Sequence, residues 1–134
     1  MITITNYNSY NSNEPLVINP KLVDYYKEQC DTYLVNLKRE LTRSLVDYHL
    51  FQRLQYINNS FIIIIDKLLN KEYIATSQIL DDYKILTDAV NVFQKGCYPV
   101  INGDIYESIR YYSKLLLITM NKLITTVKTI NSER

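Results

Sequence analysis

The chain reads as all-α: a bundle of long helices behind an extended N-terminal arm. Three observations predict this. The 75 residues from Lys21 to Lys95 contain neither glycine nor proline, the residues that most often interrupt helices. Apolar side chains recur at steps of three and four along three successive segments, which is the helical period. The first twenty residues, MITITNYNSYNSNEPLVINP, carry a single charge, Glu14, and hold no such period. At 134 residues the chain has length for one core and not for two.

The arm spans residues 1–19. Ile2 and Ile4 alternate with polar residues, after which asparagine and serine dominate around Tyr7 and Tyr10. Such a segment cannot bury enough apolar surface to fold alone, and it lacks the charge of a solvated tail. Extended, it reaches about 60 Å at roughly 3.3 Å per residue. Ile2, Ile4, Tyr7, Tyr10 and Val17 are its predicted contacts. They pack either on their own bundle or on a neighbouring subunit as an added strand.

The bundle occupies residues 20–134. Asn19-Pro20 is a helix start, an N-cap residue followed by a proline whose missing N–H is not needed at the first position. The first helix is expected over 20–57, with Tyr26, Cys30, Tyr33, Leu37, Leu41, Leu45 and Tyr48 on one stripe and Leu34 and Phe51 widening it. Asn58-Asn59-Ser60 ends it, and Ser60 caps the next helix. Phe61-Ile-Ile-Ile-Ile65 favours a strand by composition. Yet Phe61, Ile65, Leu68, Ala75, Ile79, Leu86, Val90 and Phe93 keep one helical phase, and no other segment offers a strand partner. The second segment is therefore a helix over 60–95, single or broken near residues 70–76, giving three helices or four. Gly96 stands where a helix-ending C′ glycine belongs. Pro99 and Asn102-Gly103 mark a loop, and Asp104 with Glu107 forms a capping box. The last helix, over 104–131, carries Ile105, Ile109, Tyr112, Leu116, Met120, Leu123, Val127 and Ile130.

Fifteen basic and fourteen acidic residues leave a charge of +1, spread evenly, which argues against general affinity for nucleic acid. The longest apolar run is five residues, far short of the roughly 20 that a membrane span requires, and no basic-then-apolar leader is legible at the start. Two cysteines, Cys30 and Cys97, read as free buried thiols in a reducing compartment. With one histidine and glycines only at 96 and 103, histidine-based metal sites, phosphate loops and nucleophile elbows have no residues to build them. Asp81, Asp82 and Asp88 read as a solvated face, and Lys67, Lys71, Lys84 and Lys95 as surface partners of nearby acids. No cofactor, metal or small-molecule ligand is expected.

Isoleucine, asparagine, tyrosine and lysine together supply 53 of the residues. All four have AT-rich codons, as expected of a low-GC bacterium, its phages, a large DNA virus or a protist. Thirteen tyrosines against three phenylalanines put many hydroxyls at the bundle's margins, where tyrosine favours protein contacts. Tyr25 and Tyr111, each beside a tyrosine on the stripe, are the predicted edge contacts.

Arg43 and His49, six residues apart, resemble the Arg…His motif of the all-helical HEPN ribonucleases. The resemblance covers these two residues. It implies a dimeric ribonuclease or toxin–antitoxin component in which the pair activates an RNA 2′-hydroxyl. The reading preferred from the whole sequence is instead a non-catalytic structural or adaptor subunit of a homo- or hetero-oligomeric assembly. Within that class a phage or virus particle component of capsid, neck or connector type is expected, residing in the virion or host cytoplasm.

Overall fold

Four amphipathic helices bury their apolar stripes against one another. The computed structural model describes residues 19–70 and 76–132; the arm contacts Ile2, Ile4, Tyr7, Tyr10 and Val17 lie outside the described residues. The helices are α1 (Pro20–Arg43), α2 (Tyr48–Asn70), α3 (Thr76–Cys97) and α4 (Gly103–Ser132). The bundle is the four-helix version of the two that the sequence allows.

Cross-helix bonds fix the directions. Arg53 of α2 donates to the Val92 carbonyl of α3 at 3.4 Å, and Lys67 pairs with Asp82 at 2.7 Å. Partners on α3 fall as positions on α2 rise, so the two run antiparallel. The Tyr83 hydroxyl donates to the Leu117 carbonyl at 3.1 Å, and the Tyr98 and Tyr106 rings meet edge-on with centroids 5.3 Å apart, which sets α4 antiparallel to α3. Four residues, Ser44–Asp47, join α1 to α2, a link short enough to demand antiparallel neighbours. α1 packs on α2 and α4, and α3 packs on α2 and α4, while the diagonal backbones stay apart. The result is a square, with α1 closest to α4 and α2 closest to α3.

The core lies along the axis of that square. Phe61, Phe93, Leu37, Leu41, Ile57, Ile64, Leu86, Ile109, Leu116 and Met120 are fully buried. Phe61, Ile64 and Ile65 are inward-facing residues of α2, so the run of β-branched residues is helical. Burying a stripe outweighs strand propensity when no strand partner exists. Ser113 of α4 is also fully buried, and its hydroxyl has no hydrogen-bond partner.

The first helix does not run from 20 to 57. It ends at Arg43, where the Ser44 N–H donates to the Leu41 carbonyl, the Leu45 N–H to the Thr42 carbonyl and the Ser44 hydroxyl to the Glu40 carbonyl. Leu45 follows in the left-handed region at φ 54 and stands 93% exposed. Leu45 and Tyr48, expected on the stripe, thus lie outside it, because the turn resets the helical phase. The left-handed conformation costs a leucine roughly 1–2 kcal/mol. The reversal it permits buries Leu50, Leu54 and Ile57, each contributing about 1.5–3 kcal/mol, so the turn wins.

Three smaller corrections follow from the same packing. Asn58-Asn59-Ser60 is interior to α2, with Asn59 accepting from Gln55 at 2.9 Å and Ser60 buried. Gly96 lies within α3 rather than beyond it. The Asp104 N–H is accepted by the Asn102 side chain at 3.0 Å, so Asn102 rather than Asp104 caps α4. At the other start the sequence reading holds, with the Asn19 side chain accepting from the Lys21 N–H at 2.9 Å and Pro20 leading the helix.

Leu45→Gly is expected to raise the unfolding free energy in urea by about 1 kcal/mol, since glycine adopts the left-handed turn without strain; a loss of stability contradicts a strained turn. Ser113→Ala removes a buried hydroxyl with no partner and gains roughly 1 kcal/mol in the same measurement. Phe61→Ala, by contrast, costs about 3–5 kcal/mol.

Candidate protein-interaction face

The outer seam of α2 and α3 carries the most coherent exposed feature of the bundle. At 100° per residue, positions seven apart return to nearly the same face of a helix. Tyr56 and Ile63 of α2 are so spaced, as are Ile85 and Val92 of α3. All four are between 46% and 56% exposed. A groove of about 390 Å³ runs between the two ridges, with His49, Arg53 and Tyr56 on one side and Ile85, Asp88 and Val92 on the other. Buried Ala89 is small enough to let it form.

Arg53 is held at one end of this groove. A Cβ at Gly96 would collide with the Arg53 guanidinium and approach Leu50 to 3.0 Å. Glycine inside α3 therefore lets the arginine lie across that helix and reach the Val92 carbonyl. At the far end the Lys67–Asp82 pair, with both side chains at most 22% exposed, ties α2 to α3. Lys67 thus bonds across helices and not along its own surface, as the sequence suggested.

Other predicted residues are scattered. Tyr25 and Tyr111 are 60% and 58% exposed, each edge-on to its neighbour, Tyr26 or Tyr112. Both stand on the outer surface, but near the starts of antiparallel helices, hence in opposite halves of the bundle; they form no common patch. Arg43 closes α1 and is bound by Glu40 of the same helix. His49 opens the next helix and lines the α2–α3 groove with Arg53. No hydrogen bond or ion pair among the described residues joins Arg43 to His49, because the Ser44–Asp47 turn separates their helices.

Burial pushes the thiols of Cys30 and Cys97 up to about 12, with nearby Asp31 adding to the effect at Cys30 and Arg53 opposing it at Cys97. Both are free and buried. Among the described residues no three His, Cys, Asp or Glu side chains converge to hold a metal, and no described helix is long and apolar enough to cross a membrane.

Sequence reasoning missed the α2–α3 face. Its signal was present, since Tyr56, Ile63, Ile85 and Val92 recur at seven-residue steps just beside the buried stripes. Which helices stand side by side, and at what level, is a tertiary fact. The chain matches no protein-family model, and comparison with curated proteins and with solved structures finds no match.

Native protein at pH 8 is expected to leave both thiols unreacted toward a disulfide reagent on the timescale of minutes, since they are protonated and shielded. Two equivalents react once guanidinium unfolds the chain. Rapid native labelling contradicts their burial.

Proposed function

We propose that this protein is a non-catalytic structural or adaptor subunit of a multi-subunit assembly, and within that class a component of a phage or virus particle. One observation carries the first part. Two apolar ridges of the same seven-residue spacing stand exposed side by side on a bundle whose own core is already filled. Apolar patches on a soluble surface are characteristic of contact surfaces, and aromatic side chains such as Tyr56 are enriched in them. Exposed Tyr25 and Tyr111 add contact points on α1 and α4. The placement in a virus or phage particle is supported by the AT-rich codon set and by the uncharged Asn/Tyr arm preceding a small helical body.

In this reading the arm grips a neighbour while the bundle supplies a rigid body and a docking face. Residues 1–18 attach at Asn19, the first residue of the described bundle, and their extended reach of about 60 Å exceeds the roughly 36 Å length of a 24-residue helix such as α1. They are therefore long enough to meet another subunit.

Deleting residues 1–18 is expected to leave helical circular dichroism and melting nearly unchanged while removing arm-dependent assembly, measured as mass by light scattering after size exclusion. Equal masses for the full-length and shortened chains overturn the arm's role.

A further inference from the structure

We infer that the α2–α3 face binds a second copy of this chain, in a two-fold dimer whose axis lies in the plane of the face and perpendicular to the helices. The inference deepens the assembly reading by naming the partner of that face.

Register points to this partner. Under such an axis each helix lies antiparallel across its own copy, α2 over α2 and α3 over α3, and residues equidistant from the helix midpoint oppose one another. The midpoint between Tyr56 and Ile63 falls between Asn59 and Ser60. The midpoint between Ile85 and Val92 falls between Asp88 and Ala89. The cross-links of α2 to α3 at Arg53–Val92 and Lys67–Asp82 put these two midpoints at the same level along the bundle. A single axis therefore brings Tyr56 onto Ile63 of the second copy and Ile85 onto Val92, so that all four apolar positions are covered at once.

The charges obey the same symmetry. Lys95 and Asp81 of α3 lie almost equidistant from the α3 midpoint, on its outer surface. The antiparallel arrangement sets Lys95 close to Asp81 of the second copy, and exposed Lys84, one turn from Asp81, offsets part of that attraction. The alternative axis, parallel to the helices, would set like against like. Lys95 and Asp81 are exposed and form no ion pair with a described residue of their own chain, so they enter the contact uncommitted. Asp88 is the acid nearest the axis. It stands opposite Ala89 of the second copy and within reach of the other Asp88, which costs the dimer some affinity.

The test is the mass of the full-length chain across a concentration series by size exclusion with light scattering. A dimer, or a larger even-numbered assembly built from it, is expected. Ile63→Asp and Val92→Asp, both at exposed positions, are expected to weaken dimerisation about 100-fold or more with helical content unchanged. Asp81→Lys or Lys95→Asp alone should weaken it about 5-fold, and the two together restore it. Asp88→Asn strengthens it. Asn59→Cys, beside the axis, should cross-link two chains through a disulfide under mild oxidation, the native thiols being shielded. Assemblies that persist undiminished in folded Ile63→Asp and Val92→Asp, without cross-linking of Asn59→Cys, overturn this face and leave the assembly reading standing. A full-length chain that stays monomeric at about 100 µM overturns both.

Discussion

A helix with one apolar flank can hide that flank only against other helices, and this constraint governs the whole molecule. Each of the four helices presents its stripe to the centre of a square, and Phe61, Phe93, Leu37 and Leu116 are shut off from solvent there. Among the described residues the backbone pays for the arrangement at one place, the left-handed Leu45. A straight continuation past Arg43 would have avoided that strain but carried Leu50, Leu54 and Ile57 away from any partner. Burial of three large side chains exceeds the cost of one unfavourable dihedral angle.

The same constraint shapes the surface. Once α2 and α3 have turned their stripes inward, their flanks must lie close enough for Arg53 to reach Val92 and Lys67 to reach Asp82. Small residues make this possible: Ala89 and Ser60 are buried on these flanks, and Gly96 gives the Arg53 side chain room. A tight seam leaves a shallow outer groove, and its walls are the residues one position off the stripe. Tyr56, Ile63, Ile85 and Val92 occupy those positions, where polar residues would cost nothing to the fold. That choice is what connects the packing of the bundle to the role in assembly proposed above.

The polar chemistry is mostly local and holds the helices to their ends. Asn19 and Asn102 cap α1 and α4, Lys27–Asp31 and Arg43–Glu40 lie along one helix, and the Tyr83 hydroxyl finds a carbonyl on α4. Arg43 is occupied at the end of α1, while His49 faces the α2–α3 groove. Two residues close in sequence thus come to lie on separate helices with separate partners.

How much was legible beforehand follows from the range of each force. Helical periodicity and caps act within a few residues, so the all-α class, the start at Asn19-Pro20 and most buried positions of α1, α3 and α4 could be read from the chain. The turn at Ser44–Asp47 could not, because it has no glycine or proline and exists only for what it buries far along the sequence. Asn58-Asn59-Ser60 misled for the mirror reason: polar residues that end an isolated helix are tolerated where packing carries it through. The apolar ridges, too, were written at seven-residue steps in the sequence by itself, but their common level was decided only when α2 and α3 docked antiparallel. Register between distant segments is a property of packed side chains, and no local pattern encodes it.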